Sequence, residues 1–365
     1  MATTAEYGLG QFTYPRGWFM VADAEKVSKT PLNVRFFGRD MVIFRGESGT
    51  PYMVSAYCPH MKTHIGRNTT SFLIQQGRHV EGESISCPYH AWRFSGRDGK
   101  CNHIPYFSVI PPEAKLDAFP IVERYNAIFY WHDPEGGPPT YDLPVIKEWE
   151  DPQWVQWHFD DLGTMNLHPV EVVDNICDIQ HLHSIHATTP EYFETEIRGH
   201  RVWQRMGGRH ELLAVDQTAA DFNTWYTGPA ILISRFVGDA QSMMFITHTP
   251  VDDGVTYVWH ATLTKAANPK PTEADVKAAR DYQELSRFAF AQDFEIWSNK
   301  QPCFQPMQLP TDGNFAKVRT WYRQWYNPRA EADRYLNQSE GIYTIRGLPS
   351  APDDEDRQRA LQMAD

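Results

Sequence analysis

Between about Phe12 and Trp131 the chain runs in short apolar or alternating stretches, among them Met41-Val-Ile-Phe44, Tyr52-Met-Val-Ser55 and Ala127-Ile-Phe-Tyr-Trp131. Gly, Asn and Asp separate them, so this part predicts strands joined by turns, a small all-β domain. The segment Asp133-Pro-Glu-Gly-Gly-Pro-Pro139 cannot continue a hydrogen-bonded ladder and marks a boundary. The first domain is therefore placed at residues 12–135. A second, residues 154–345, mixes strand-like runs at Ala230-Ile-Leu-Ile233 and from Gln241 to Thr247 with helical segments. The clearest helix starts at Thr272, where Thr272-Glu-Ala-Asp275 has the form of a capping box, and runs to about Lys300. Apolar residues recur on it at Val276, Ala279, Tyr282, Leu285 and Phe288, which predicts its packed face. The run Asp353-Asp-Glu-Asp-Arg357 predicts a solvated, frayed tail.

Composition narrows the class. A chain of 365 residues exceeds one ordinary hydrophobic core, in keeping with two domains. A net charge of −12 with 13% aromatic residues disfavours nucleic acid and anionic membrane as partners, and suits a soluble globular enzyme with an apolar or positively charged partner. No signal-peptide pattern and no long apolar run is present, so no membrane insertion and a cytoplasmic location are expected. The cysteines, Cys58, Cys87, Cys101, Cys177 and Cys303, are scattered and odd in number, which argues against a disulfide scaffold and for a reducing compartment.

Two of them stand in matched surroundings. Cys58-Pro-His60 is followed, after residues 61–86, by Cys87-Pro-Tyr-His90. Two thiols and two imidazoles suit either zinc or a Rieske [2Fe–2S] cluster. Structural zinc sites usually pair cysteine with cysteine and histidine with histidine; here each half supplies one of each. That division favours the Rieske arrangement, with two Cys on one iron and two His on the other. Neutral imidazoles in place of two thiolates raise the potential, which suits an electron relay. Buried small hydrophobes would explain one half-motif but not its recurrence with Pro after each Cys. Cys101, Cys177 and Cys303 have no such surroundings and are assigned to packing.

Farther on, Glu171-Val-Val-Asp174-Asn175-Ile-Cys-Asp178-Ile-Gln-His181-Leu-His183-Ser-Ile-His186 concentrates acids and imidazoles. Two His and one carboxylate on three positions of an iron leave the others open, the facial triad of non-haem Fe(II) oxygenases. Asp178 or Asp174 could orient a ligand ring. Periodicity leaves the ligand pair open, because His183 and His186 share a helical face whereas His181 and His186 diverge on a regular helix. Asp293, among Phe288, Phe290, Phe294, Ile296 and Trp297, either meets a metal or faces water, since a buried unpaired carboxylate is costly.

With these segments in view the chain resembles the Rieske non-haem iron ring-hydroxylating oxygenases through both domains, and within them is most similar to the 3-ketosteroid 9α-hydroxylase oxygenase components. The resemblance implies an α+β fold: an N-terminal all-β Rieske domain, then a catalytic domain with an antiparallel sheet and helices of helix-grip type. It places the [2Fe–2S] ligands at Cys58, His60, Cys87 and His90, followed by Ala91-Trp92-Arg93 in family style. The mononuclear motif falls on Asn175, Asp178, His181 and His186, which chooses His181 over His183, and Gln292-Asp293-Phe-Glu-Ile296 nominates Asp293 as third ligand of the Fe(II). Trp321-Tyr-Arg-Gln-Trp-Tyr326 strengthens the likeness to the steroid hydroxylase group. By the same resemblance Asp178 carries electrons between subunits of a homotrimer, Asn175 stands near the iron, and O₂ is the co-substrate.

The implied activity is hydroxylation of an apolar polycycle, a steroid or 3-ketosteroid-like compound. The alternatives are the same chemistry on another apolar or aromatic substrate, including O- or N-demethylation, and a non-catalytic Rieske carrier. The chain has no strand, GxGxxG and helix fingerprint for a dinucleotide, so a separate NAD(P)H-dependent flavin and iron–sulfur reductase, or a ferredoxin, must supply electrons. Two departures bear on where that partner docks. The interval from His60 to Cys87 is long, with Ser71-Phe-Leu-Ile-Gln-Gln-Gly-Arg-His-Val80 reading as an added hairpin or loop, and Met61-Lys-Thr replaces small residues after His60.

Overall fold

The computed structural model describes residues 2–209, 220–237 and 241–352; the acidic run Asp353–Arg357 lies outside them. Two compact units result, one of Met20–Trp131 and one of Met1–Phe19 with His132–Asp365. Residues 12–19 and 132–153 thus belong to the second unit, not to the first domain or a linker as the sequence suggested. Their polar side chains explain it. Buried Arg16 pairs with Glu135 at 2.8 Å and donates to the Asn327 carbonyl at 2.6 Å, while Asp133 pairs with Arg329.

The first unit is built from small antiparallel sheets. Leu32–Phe36, Arg39–Arg45, Pro51–Ser55 and Ala118–Phe119 form one, and Val80–Glu81, Ser84–Ser86, Arg93–Ser95 and Cys101–His103 another. A shared core of Val42, Phe44, Val54, Ile65, Ile85, Phe94 and Leu116 also takes in Cys58 and Cys87. The segment from Ser71 to Val80 is not a hairpin. Ser71 Oγ caps a single helical turn, Phe72–Gln75, by accepting from Ile74 N at 3.4 Å, and the chain then enters the strand Val80–Glu81. Phe72 stays 78% exposed, because the turn has no sheet to pack on.

In the second unit, elements are numbered in chain order: β1 (Asp160–Met165), α1 (Pro169–Val173), α2 (Gln180–His186), β2 (Thr189–Arg198), β3 (Arg201–Arg209), β4 (Ala220–Thr227), β5 (Ile231–Val237), β6 (Ser242–Asp252), β7 (Val255–Lys265), α3 (Glu273–Ser298), α4 (Phe315–Arg323) and β8 (Gly341–Thr344). Among the described residues they build a nine-stranded sheet, the ninth strand being Trp154–Val155. Order runs β7-β6-β5-β4-β3-β2-β8, every pairing antiparallel, with β1 and Trp154–Val155 both against β7. Helix α3 begins at the predicted capping box, Thr272 and Asp275 each bonding the other's backbone N–H, and packs on β7.

Its packed face agrees with the sequence expectation at Ala279 and departs from it at three other positions. Val276, Leu285 and Phe288 are exposed, and the buried face carries Ala279, Gln283, Ser286, Ala289, Phe290, Asp293 and Trp297. Polar groups occupy the inner face because that face lines a site, so function has overridden the apolar stripe. Among the described residues no helix is long and apolar enough to cross a membrane.

Candidate active site

In the first unit the two Cys-Pro segments fold as matching loops. Lys62 N donates to the Cys58 carbonyl and Ala91 N to the Cys87 carbonyl, each at 2.9 Å. Cys58 N donates to the Thr63 carbonyl at 2.9 Å and Cys87 N to the Trp92 carbonyl at 2.8 Å. Lys62 and Ala91, four residues after each cysteine, have φ of 57° and 56°, a left-handed conformation costly for a residue with a Cβ. The loops point both thiols inward, at 2% and 1% exposure, and leave His60 exposed and His90 half-buried. The two rings are 4.7 Å apart between centroids.

The thiols meet. Contact with Cys58 lowers Cys87 to about 6 and raises Cys58, as two thiols sharing one proton must behave. Backbone N–H groups of His60 and Met61 reach Cys58, and those of Tyr89 and His90 reach Cys87. Such donors favour thiolates, so the cysteine side of the set suits an iron–sulfur cluster whose histidine side faces outward. Trp92 was outside the sequence-nominated set: its ring stacks on His60 at 4.5 Å and 5°, and its Nε1 donates to Tyr106 OH at 2.7 Å. Its place in Ala91-Trp92-Arg93, two residues after His90, was the signal for it.

In the second unit, His181 and His186 from α2 and Asp293 from α3 bring ligand atoms within 4.8 Å of one another. His183 is exposed, so the turn that presents its neighbours directs it to solvent. His186 Nε2 lies 3.3 Å from Asp293 Oδ2, and its Nδ1 3.2 Å from Gln292 Oε1. A proton on Nδ1 donated to the Gln292 carbonyl oxygen leaves Nε2 as the ligand nitrogen. Gln292 thus has a role that its place beside Asp293 in the sequence does not reveal. His181 Nδ1 is buried without a hydrogen-bond partner, 3.7 Å from Asp178 Oδ1, and its ring centroid is 5.3 Å from that of His186.

The set attracts positive charge. Burial opposes protonation of His181, but contact with Asp178 and the charge of Asp293 outweigh it and raise its pKa. Burial likewise opposes the Asp178 carboxylate, and contact with the His181 ring outweighs it and holds the carboxyl below its usual range. A half-buried and a buried imidazole with a buried carboxylate, and a second carboxylate behind one ring, fit a divalent iron. Ala187, directly after His186, closes α2 at φ 50°, another left-handed residue with a Cβ beside a candidate ligand.

The surrounding ion pairs fix this geometry. Arg319 on α4 grips Asp174 through Nε at 2.9 Å and through its terminal nitrogen at 2.5 Å, so Asp174 is not the partner of a ligand histidine. Fully buried Glu171 accepts from Tyr7 OH and from Cys303 N at 2.8 Å, and Lys300 Nζ lies 2.5 Å from its other oxygen. Glu171 thereby ties α1 to the chain leaving α3, which carry the segments next to the candidate metal ligands. Arg319→Ala strands Asp174 as a buried unpaired charge, and should destabilise the unit by roughly 3–5 kcal/mol, read from the denaturant midpoint. Arg319→Lys keeps the charge without the fork and should cost less.

Above the triad opens a cavity of about 860 Å³, mouth included, with Asn175 on its wall. The rest is mostly apolar, including Met206, Phe222, Phe236, Ile246, Phe290 and Trp297.

Comparison with known proteins accounts for both units. Residues 17–120 match the Rieske [2Fe-2S] domain, and residues 130–326 match the 3-ketosteroid 9alpha-hydroxylase C-terminal domain. The chain belongs to the 3-ketosteroid 9α-hydroxylase oxygenase family. A 3-ketosteroid-9-alpha-monooxygenase oxygenase component of Rhodococcus rhodochrous is 30% identical over 86% of this chain and 81% of its own length. That of Mycolicibacterium smegmatis is 30% identical over 86% and 82%. Cholesterol 7-desaturase of Caenorhabditis elegans is 29% identical over 90% of this chain and 82% of its own. Among solved structures, Pseudomonas putida CBB5 NdmA with caffeine superposes with a TM-score of 0.66 at 17% identity, covering 91% of this chain and 97% of that one. Apo dicamba monooxygenase superposes with 0.65 at 17%, covering 88% and 99%. These two share the fold. Membership of the family makes this chain a Rieske non-haem iron monooxygenase, the terminal oxygenase of a system with a separate reductase, and its cofactors are a Rieske [2Fe–2S] cluster and mononuclear iron, with O₂ as co-substrate.

Proposed function

We propose that this oxygenase hydroxylates a steroid of the 3-ketosteroid type. The observation that carries the reading is the His181, His186 and Asp293 set lining a mostly apolar cavity. Its lining is predominantly apolar with a few polar groups, as in small-molecule sites, and relatives of two kinds are named for sterol-ring oxidation. When bound, the iron supplies O₂ activation. The chain supplies the rest. Cys58, Cys87, His60 and His90 hold the cluster; Gln292 sets the tautomer of His186 so that it presents Nε2, and the Asp178 carboxylate stands behind the His181 ring. The apolar walls exclude water and orient a rigid polycycle. Asn175 borders the iron.

Asp178 serves as the electron bridge, its side chain 37% exposed and so able to meet a histidine of a neighbouring chain in a homotrimer. The donor is an NAD(P)H-dependent flavin and iron–sulfur reductase, or a ferredoxin reduced by one, in the same cytoplasmic compartment. O₂ uptake should be measured with reductase and NADH on 3-ketosteroids, methylxanthines and aromatic ethers in parallel. Substrate-dependent uptake with steroids alone supports the reading; uptake with a methylated substrate, releasing formaldehyde, would replace hydroxylation by demethylation. NADH without a reductase should give no turnover.

A further inference from the structure

A second polar chain, separate from the iron ligands, reaches the cavity wall. Ser286 lines the cavity on the face of α3 that carries Asp293, seven residues earlier, or about 10 Å along the helix axis. Its Oγ lies 2.9 Å from His260 Nε2, and His260 Nδ1 lies 2.8 Å from Asp160 Oδ2. His260 projects from β7 and is fully buried; Asp160, on β1, has a side chain 21% exposed. Gln283 Nε2 donates to the same Asp160 oxygen at 3.0 Å, and the Phe290 ring stacks near His260 at 6.2 Å and 23°. Three elements therefore hold this Ser, His and Asp in one line.

Packing a helix on a sheet does not call for such a line, because each buried polar group must be matched. A serine within a helix ordinarily satisfies its hydroxyl on its own helix's backbone. Here the hydroxyl meets an imidazole instead. The Asp160 carboxylate can only accept, so it takes the proton on Nδ1; the neutral ring then offers Nε2 as an acceptor for the Ser286 O–H. What remains at Oγ is acceptor capacity at the wall of an apolar cavity.

We propose that Ser286, held by His260 and Asp160, is a substrate subsite that accepts a hydrogen bond from a hydroxyl group two helical turns from the iron ligand Asp293. It rests on the reading of the cavity as a steroid site, and it names the class: a polycycle with an alcohol, not a ketone, at the end remote from the oxidised carbon. A ketone there offers only lone pairs and faces lone pairs. Ser286 fixes which end of the substrate enters, and His260 and Asp160 are positioning residues acting through it.

The test uses iron-loaded, unreduced protein and three probes: androstane-3,17-dione, 3β-hydroxyandrostan-17-one and 17β-hydroxyandrostan-3-one, titrated by calorimetry. One of the two alcohols should bind the wild type about ten-fold more tightly than the dione. Ser286→Ala should bring that ratio to about one while leaving dione affinity within about two-fold, and Ser286→Thr should restore it. His260→Phe, which fills the space without an acceptor, should also abolish the ratio. Equal binding of alcohols and dione by the wild type, or an unchanged ratio in Ser286→Ala, overturns the subsite and leaves the steroid reading standing. Failure of all three probes to bind overturns the steroid reading and the subsite with it.

Discussion

Asp293→Ala should lose the mononuclear iron and with it more than about 100-fold of hydroxylation, while the EPR signal of the reduced cluster stays as it was. The carboxylate is 6% exposed, and among the described residues it is the one carboxylate grouped with the two imidazoles. His181→Ala and His186→Ala should behave alike. His183→Ala, whose ring is exposed, should keep its iron and turn over within about two-fold of wild type. Iron content, EPR and turnover measured on the four variants decide it. Iron lost from His183→Ala but kept by His181→Ala would place the ligands on the other face of α2.

Asp178→Asn should abolish turnover with both metals still bound. The substitution keeps size but removes the charge behind His181, whose Nδ1 has Asp178 Oδ1 as its neighbour at 3.7 Å. A positioning role alone predicts a partial defect, of about 10- to 100-fold as for other outer-shell partners. A bridging role predicts that the reduced cluster no longer passes its electron at all. Stopped-flow oxidation of the reduced cluster, with substrate and O₂ present, separates the two: the bridge requires oxidation in Asp178→Asn to be slower than wild type by more than about 1,000-fold, and wild-type rates would show that electrons take another path.

The first unit was legible because its chemistry is local. Each Cys-Pro loop closes on itself within a few residues, so spacing alone carried the donor set, and short apolar runs such as Met41–Phe44 became the strands that bury the thiols. The second site was legible only in part. Its histidines lie in one segment, but which of them turn inward depends on long-range packing: the chain just before α2 is held by Asp174 to Arg319 and Glu171 to Lys300, pairs more than a hundred residues apart in sequence. Helix α3 shows the limit from the other side. Its capping box and length were plain, yet the apolar stripe at Val276, Leu285 and Phe288 pointed outward, since the face that matters carries Ser286 and Asp293. A pattern rule assumes the buried face is the apolar one, and a helix that lines an active site breaks it. The same holds for Arg16 and Asp133, whose partners near residue 330 draw the N-terminal segment and the Pro-rich stretch into the second unit.

Hydroxylation of a steroid bound beside His181, His186 and Asp293 would spend two electrons, one from the reduced Rieske cluster and one that the ferrous iron would supply, so that one oxygen atom of O₂ enters the steroid and the other leaves as water. A single turnover with chemically reduced protein, a 3-ketosteroid and ¹⁸O₂, analysed by mass spectrometry and cluster absorbance together, tests it without a reductase. The prediction is a hydroxylated steroid carrying one ¹⁸O, formed as the cluster reoxidises. Reoxidation that yields hydrogen peroxide and unaltered steroid across the 3-ketosteroids tried would contradict it.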